Sequence, residues 1–260
     1  MVPSNRDPEV LSNRASLYRA LSDEAPQEPI PMIDRILPPA AVAAESFGAL
    51  PEPGADLFPA EQQVVRTAGP ERQAEFTAGR RCARTALAGL GVPAAPILPG
   101  PAGEPGWPAG VTGSITHCPG YRACAVARTE DLAAIGIDAE PDEELPRGLL
   151  EAVATAWERT WIQRQAAAGT PGPAVHWARL VFSAKEAAAK AWYPLAARWP
   201  DLAELTVAAT AAGGLIVRLT GAAPGLPATL AGRWLARDGL IITVVAGNPL
   251  RPPAVAGPPR

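Results

Sequence analysis

The apolar residues of the chain recur at two different spacings, and each spacing predicts a different element. Over residues 71–90 they follow one face of a helix, and the glycines and the proline that come next end the pattern. Residues 174–192 carry a second long stripe of this kind, and residues 149–168 carry a third. The sequence therefore predicts three substantial helices. The core face predicted for the helix over residues 149–168 consists of Val153, Trp157 and Trp161.

Strands are predicted where short apolar runs lie between turn residues. In the first half of the chain they cover residues 113–118, 121–127 and 132–138, with Pro119-Gly120 as the turn between the first two. Residues 38–59 are rich in Ala, Pro and Gly and predict a loop with one short helix over residues 40–47. In the second half the predicted strands cover residues 206–208, 215–219, 229–236 and 240–246.

Each half of the chain thus consists of helices followed by a meander of strands. This order favours an α+β fold with two related lobes, although no repeat is visible in the letters themselves. We predict an N-terminal lobe over residues 29–140 and a C-terminal lobe over residues 141–246. Residues 1–28 predict a flexible arm, and the Pro-rich residues 247–260 predict a loose tail.

The composition excludes several classes of protein. Of the 260 residues, 48% are apolar and 19% are charged, which is typical of a globular chain. The formal net charge of −3 gives no overall attraction to nucleic acid, so any anion binding has to be local. Three cysteines without a CxxC pair favour reduced thiols over a disulfide framework. Because no signal peptide and no membrane-spanning apolar run is visible, we expect a cytoplasmic protein.

Candidate chemistry begins where the strand over residues 132–138 ends. Asp138 and Glu140 are two positions apart, so in a strand their carboxylates lie on the same side. Two like charges on one face repel unless a cation lies between them, which favours a hard-metal site with oxygen ligands. The alternative is an ordinary strand end that runs into an acidic turn, and the pair alone favours that alternative.

Basic side chains form a second candidate site. At helical spacing Arg72, Arg80 and Arg84 fall within one sector, so they can converge on an anion. A solvated basic face is the alternative interpretation. His117 stands at the end of a predicted strand, where it could donate to a phosphate, although a lone histidine is more often structural.

A third group of charged residues lies in the helix over residues 174–192. Lys185, Glu186 and Lys190 place a carboxylate between two cations, which suits a metal ligand flanked by phosphate-binding lysines. Two structural explanations fit equally well. Glu186 and Lys190 are spaced as a surface ion pair, and Ser183 with Glu186 matches a capping box.

Three motifs taken together resemble a known family, the 4′-phosphopantetheinyl transferases. The match is to the larger, two-lobed type, exemplified by the surfactin-synthetase activator and enterobactin synthase component D, and above all to the actinobacterial enzymes. It also includes the arginine helix and the loop at Trp107, and it extends from about residue 32 to residue 246. In chain order the motifs are Gly113-Ser114-Ile115-Thr116-His117, Gly136-Ile137-Asp138-Ala139-Glu140 and Phe182-Ser183-Ala184-Lys185-Glu186 with Lys190.

The resemblance implies a fold and an activity. Family members have two pseudo-symmetric α/β lobes, each a small, mostly antiparallel sheet packed with helices. They bind coenzyme A between the lobes, with Mg²⁺, for which Mn²⁺ is an alternative, on the pyrophosphate. A serine hydroxyl of an apo acyl or peptidyl carrier protein of polyketide, nonribosomal-peptide or fatty-acid synthesis attacks the β-phosphate, and 3′,5′-ADP is released. The resemblance further implies a monomer that binds neither nucleic acid nor membrane.

The resemblance also assigns roles to residues of this chain. Glu186 is the candidate base, directly or through a metal-bound water, Lys190 is the candidate for steadying the leaving phosphate, and Asp138 completes the catalytic set. The metal ligands it implies are Asp138, Glu140 and Glu186. The coenzyme A-binding residues it implies are Arg72, Arg80, Arg84, Thr116, His117, Lys185 and Lys190.

Two positions depart from the pattern of the family. Ala189 stands where an aromatic residue is usual, and Ala102 stands where close relatives tend to have a lysine. Each change is expected to weaken coenzyme A binding by about 1–2 kcal/mol. Two other functions stay open, namely a non-catalytic binder of coenzyme A or carrier protein with the same fold, and a metal-dependent hydrolase of a nucleotide diphosphate. The carrier is expected to dock on the second lobe, at Leu145, Leu149 and Leu150, unless these belong to the core.

Overall fold

The computed structural model describes residues 31–168 and 175–248. The predicted arm over residues 1–28 lies outside these residues, as does the predicted tail after residue 248. The described residues from Met32 onward belong to one compact unit. Within the described ranges, no helix combines the length and the apolar character that crossing a bilayer requires.

Within its described part the chain forms five α-helices and eight strands, and most of the predicted elements are confirmed. The helices are α1 (Pro59–Val65), α2 (Pro70–Gly89), α3 (Leu149–Val153), α4 (Ala156–Ala168) and α5 (Trp177–Ala196). Short 3₁₀ turns cover Ile33–Arg35 and Leu202–Glu204. The strands are β1 (Ala41–Phe47), β2 (Val111–Cys118), β3 (Tyr121–Arg128), β4 (Ala134–Pro141), β5 (Leu205–Ala209), β6 (Gly214–Leu219), β7 (Thr229–Arg237) and β8 (Leu240–Gly247).

The strands form two antiparallel sheets, with strand orders β1-β3-β2 and β4-β8-β7-β6-β5. Alternation along β3 buries Val126 against α2 and Ala125 against the second sheet, where Ile137 of β4 shares the same apolar layer. On its other face the second sheet packs against α5, through side chains such as Leu180 and Val245. Antiparallel sheets packed with helices confirm the predicted α+β class.

Two hydroxyl groups join the sheets where β2 and β4 lie side by side. The backbone N–H of Ile137 donates to Oγ of Ser114, and that of Ala139 donates to Oγ1 of Thr116, each at 3.1 Å. These side chains satisfy buried backbone groups of β4 that no neighbouring strand pairs on that side. Residues from the first and second motifs therefore lie in contact. The predicted lobe boundary falls at the end of β4, whose hydrogen bonds belong to the second sheet, and the division into lobes stays a prediction.

A glycine sets the distance between β4 and α5. A Cβ atom on Gly136 would overlap the carbonyl oxygen of Ala187 and would lie 2.6 Å from the backbone nitrogen of Ala191. The helix backbone therefore approaches the strand as closely as a residue without a side chain allows. This approach brings the third motif, on α5, beside the second motif, on β4.

Two of the predicted elements are wrong. The short helix predicted over residues 40–47 is strand β1, because pairing with β3 along its whole length overrides the helix propensity of its alanines. The helix predicted over residues 149–168 is two helices that break at Ala154, which has extended backbone. Trp157 does not face the core, since 53% of it is exposed, and Glu158 is buried in its place.

Candidate active site

A cleft of about 710 Å³ lies between the first lobe and the end of α5. Its walls come from α2, from the loop over residues 99–107, from β2 and from the last turns of α5. Aromatic side chains and cations share the lining, so the cleft suits a ligand that has both a ring or an apolar arm and anionic groups. Its principal lining residues are Arg72, Phe76, Arg80, Trp107, His117 and Lys190.

Trp107 holds the loop of the cleft against β2. Its Nε1 donates to the carbonyl oxygen of Gly113 at 3.0 Å, and a Cβ atom on Gly113 would lie only 2.8 Å from the indole ring. The first glycine of the first motif therefore makes room for the ring of Trp107. This packing fixes the wall that faces Lys190 across the cleft.

Asp138 lies at the centre of the polar contacts beneath the cleft. Its Oδ1 accepts from Nζ of Lys190 at 2.7 Å and from Oγ1 of Thr116 at 3.2 Å. The side chain is only 6% exposed, and its Oδ2 is buried without a hydrogen-bond partner among the described residues. An unpartnered buried carboxylate oxygen is costly, so this atom is open to a donor or a cation.

The two glutamates of the predicted metal site lie near Asp138. Burial, and then the negative charge of Asp138, raise the pKa of Glu140 and also the pKa of Glu186. Glu140 receives a compensating hydrogen bond from Nη1 of Arg179 at 2.9 Å. Neither structural explanation of the third motif holds, because Lys190 pairs with Asp138 and Ser183 lies inside α5, bonded to Thr243.

The carboxylates of Asp138, Glu140 and Glu186 are candidate ligands of a metal ion. Within residues 31–168 and 175–248, no group of three or more His, Cys, Asp or Glu side chains is already gathered closely enough to bind one. The open Oδ2 of Asp138 and the repulsion that Asp138 exerts on both glutamates are nevertheless what a divalent cation would relieve. Carboxylate oxygens are the ligands that Mg²⁺ prefers, so the donor set fits that ion.

Four of the residues predicted to bind coenzyme A reach the cleft. Lys190 lies on α5, His117 lies on β2, and Arg72 and Arg80 lie on α2. Arg80 is buried, stacks its guanidinium 4.1 Å from the ring centre of Phe76, and donates from Nε to the carbonyl oxygen of Ile97 at 2.7 Å. Burial lowers the pKa of Arg80 to about 10, so it still carries its charge at neutral pH.

The other three predicted coenzyme A-binding residues do not line the cleft. Arg84 turns away and pairs with the buried Glu61 at 3.0 Å. Lys185 is fully buried and donates to Glu158 at 2.9 Å and to three backbone carbonyls, so its ammonium has no access to a phosphate in the cleft. Thr116 is buried, and its hydroxyl binds β4 and Asp138.

Of the two departures from the family pattern, only one lies on the cleft. Ala102 is exposed at the rim of the cleft, where a longer basic side chain could reach an anion. Ala189 is 4% exposed and packs in the core of the second sheet.

Sequence reasoning missed two residues that hold the site in place. Arg179 binds Glu140 and also the carbonyl oxygens of Glu143 and Glu144, and a contact across 39 residues leaves no local signal. Glu61 was partly detectable, because Pro59 marks the first turn of a helix and a glutamate two residues later can accept from the N–H of the residue before the helix, as Glu61 does from Phe58 at 3.0 Å.

Comparison with known proteins decides the family. Family models match residues 60–127, as the 4′-phosphopantetheinyl transferase N-terminal domain, and residues 134–245, as the 4′-phosphopantetheinyl transferase superfamily. The 4′-phosphopantetheinyl transferase Svp of Streptomyces mobaraensis is 45% identical over 221 residues, which cover 83% of this chain and 89% of Svp. The chain belongs to the 4′-phosphopantetheinyl transferase family. The predicted resemblance is therefore confirmed.

Two further 4′-phosphopantetheinyl transferases show the same relation. PptT of Mycobacterium tuberculosis is 42% identical over 203 residues, which cover 74% of this chain and 87% of PptT. Npt of Nocardia iowensis is 41% identical over 230 residues, which cover 83% of this chain and 99% of Npt. Each of these relatives is thus similar over about three quarters or more of this chain.

Proposed function

We propose that this transferase moves the 4′-phosphopantetheine arm of coenzyme A onto a serine of an apo acyl or peptidyl carrier protein and releases 3′,5′-ADP. One observation supports this most directly. A single cleft combines cations on α2 with Lys190 on α5, and Lys190 connects the cleft to the carboxylate of Asp138. Coenzyme A carries a diphosphate, a further phosphate and an extended arm, which match the cations and aromatic walls of this cleft.

The carboxylates Asp138, Glu140 and Glu186 would hold Mg²⁺, or alternatively Mn²⁺. The ion, when bound, supplies positive charge at the diphosphate and so lowers the cost of attack on phosphorus. Among the described residues, Oδ2 of Asp138 has no hydrogen-bond partner and so has a lone pair to offer it. Arg179 donates to Glu140 and so keeps its carboxylate oriented, although the neighbouring carboxylates carry the same negative charge.

In the proposed reaction the serine hydroxyl attacks the β-phosphorus, a new bond forms between Oγ and phosphorus, and the bond to the oxygen that bridges to the α-phosphate breaks. The electron pair of that bond leaves with 3′,5′-ADP. Glu186 takes the hydroxyl proton, a role that its raised pKa supports because a carboxylate with a higher pKa is the stronger base. Lys190, held at 2.7 Å by Asp138, faces the leaving phosphate with its ammonium group.

The partner surface is proposed on the second lobe. Leu145 and Leu150 line a separate cavity of about 700 Å³, whose floor includes Trp177 and whose rim includes Arg147. An exposed apolar cavity with a charged rim suits the docking of a helix of a carrier protein. Service to polyketide, nonribosomal-peptide or fatty-acid synthesis, a monomeric state and a cytoplasmic location stay predictions.

The decisive experiment is the intact mass of an apo carrier protein after incubation with this protein, coenzyme A and Mg²⁺. We expect a gain of one phosphopantetheine, and no gain when EDTA is present or when the acceptor serine of the carrier is replaced by alanine. Binding of coenzyme A without transfer to any of several carriers would favour a non-catalytic binder. Release of 3′,5′-ADP without a carrier would favour a hydrolase.

Asp138→Ala tests the proposed centre itself. The change removes both the open oxygen and the partner of Lys190, so transfer should be lost while the thermal melt shows that the fold is kept. Asp131→Ala is the matched control, because Asp131 is exposed on the turn before β4. Equal transfer by the two variants would contradict the roles given to Asp138.

A further inference from the structure

A fully buried glutamate lies behind the arginines of α2. Glu61, in the first turn of α1, is 0% exposed. Its Oε2 accepts from the N–H of Phe58 and from Nη1 of Arg84, each at 3.0 Å, and its Oε1 accepts from the N–H of Ile97 at 2.9 Å. Breaking a buried charged group out of such contacts is costly, so Glu61 fixes the elements that it joins.

The same contacts determine where Arg80 points. The N–H of Ile97 donates to Oε1 of Glu61, and the carbonyl oxygen of the same residue accepts from Nε of Arg80 at 2.7 Å. Phe76 supports the guanidinium plane from below, and Nε of Arg80 is 3.9 Å from Oε1 of Glu61. Since the described residues offer no hydrogen bond to either Nη of Arg80, these two groups are left for a ligand in the cleft.

The second lobe also has a fully buried glutamate in the first turn of a helix, but the cation bound to it is enclosed. Glu158 is 0% exposed, lies in the first turn of α4 and accepts from the N–H groups of Thr155 and Val207, each at 2.7 Å. Its cation is Lys185, which is enclosed and spends its donors on Glu158 and on backbone carbonyls. In the first lobe the cation bound to Glu61 is Arg84, which spends its donors on Glu61 and on the carbonyl oxygen of Asp56, while Arg80, one turn earlier, opens onto the cleft.

We propose that Glu61 is a positioning residue that aims the guanidinium of Arg80 at a phosphate of coenzyme A. It does so by fixing Ile97, whose carbonyl oxygen holds Nε, and by occupying Arg84, so that of these two arginines Arg80 is the one presented to the ligand. This inference rests on the proposed function, since it deepens the account of how the same cleft binds coenzyme A. An arginine held in this way loses little freedom on binding, which is the source of the gain in affinity.

Because Glu61 is negatively charged, its charge and its positioning role predict opposite changes in the affinity for coenzyme A when the residue is replaced. Glu61→Gln removes a negative charge near Arg80, so Coulomb attraction alone would tighten the binding of anionic coenzyme A. Loss of the fixed orientation of Arg80 would instead weaken the binding of coenzyme A. We expect Glu61→Gln to raise the Kd of coenzyme A, measured by calorimetry without any carrier, and its KM in transfer, each about 10-fold, with kcat within about 2-fold of wild type.

Glu158→Gln is the matched control, since it alters the corresponding glutamate of the second lobe. It should lower the melting temperature and leave the Kd of coenzyme A unchanged. Coupling to Arg80 is tested with Arg80→Met, in whose background Glu61→Gln should change the Kd by less than about 2-fold. If Glu61→Gln has no cooperative melt, Glu61→Asp takes its place: it keeps the charge but shortens the reach of the carboxylate to Ile97 and Arg84, so a raised Kd again reports loss of orientation and an unchanged Kd overturns the proposal.

The outcomes separate this inference from the proposed function. A Glu61→Gln variant that folds and binds coenzyme A as tightly as wild type, or more tightly, would overturn the positioning role even if the wild type transfers phosphopantetheine. An equal loss of affinity with and without Arg80 would overturn it as well. Weaker binding in Glu61→Gln, together with a wild type that transfers nothing to any carrier, would support the positioning role and overturn the proposed function.

Discussion

The close approach of β4 and α5 at Gly136 brings the second and third motifs together. Its role can be tested by adding one methyl group. Gly136 lies in β4 two residues before Asp138, and the backbone of α5 crosses directly over it. Gly136→Ala places a Cβ atom against the carbonyl oxygen of Ala187 and 2.6 Å from the nitrogen of Ala191. Both neighbours are backbone atoms, so no side chain can rotate out of the way.

The helix therefore has to move as a unit. Reaching an ordinary carbon–nitrogen separation requires a displacement of about 1 Å. Glu186 and Lys190 lie on the same stretch of α5, so the hydrogen bond of 2.7 Å from Lys190 to Asp138 would open with it. Overpacking of this kind costs about 1–3 kcal/mol of stability, and a displacement of about 1 Å at reacting groups costs about 100-fold in rate.

The assay compares Gly136→Ala with Gly69→Ala, in which the same atom is added where no neighbour lies within 4 Å. We expect the first variant to show a lower midpoint in urea and a transfer rate about 100-fold below wild type, and the second to stay close to wild type. A Gly136→Ala variant with the melt and the transfer rate of wild type would refute the argument that close approach of backbones builds the site.

Three further results are expected. Ala102→Lys adds a cation at the rim of the cleft and should lower the KM of coenzyme A about 3-fold at low salt, with the gain lost at high salt. Lys185→Met leaves Glu158 buried without its cation and should cost about 3–5 kcal/mol in a urea titration, most of which Glu158→Gln should restore. Burial raises the pKa of Cys82 to about 11 and of Cys118 to about 12, so Ellman's reagent should label them at neutral pH only after unfolding.

The elements of the fold were largely predictable, because most of them carry a clear period. The apolar stripe predicted over residues 174–192 is buried in α5, at Trp177, Leu180, Val181, Ala184, Ala188 and Ala191, and the four strands of the second half appear within a few residues of their predicted ends. Strand β1 was not predictable, since its alanines and valine carry no alternation and favour a helix when taken alone. Only pairing with β3, about 80 residues later in the chain, selects the extended state.

The candidate site was predictable to a smaller extent, for a geometric reason. Successive residues of a helix are about 100° apart, so Glu186 and Lys190 share a face, whereas Lys185 lies about 140° from Lys190. The structure follows this rule, with Lys190 at the cleft and Lys185 in the core. A family motif gives all of its residues one role, as binders of the ligand. The helical angle between Lys185 and Lys190 is enough to predict that the two side chains point in different directions and that Lys185 does not reach the site.

The relation between the lobes shows why the letters contain no repeat. Glu61 and Glu158 occupy the same place in their helices, are equally buried and bind a cation on the next long helix. The cations, however, are arginine in one lobe and lysine in the other, at separations of 23 and 27 residues. Lys185 ends inside the protein. In the first lobe Arg84 is the cation bound to Glu61, while Arg80, one turn earlier on the same helix, donates through Nε to Ile97 and keeps two further nitrogens for a ligand. Similar buried glutamates therefore hold an enclosed cation in the second lobe and support a cleft-facing arginine in the first, so the two arrangements use different residue types and the letters show no repeat.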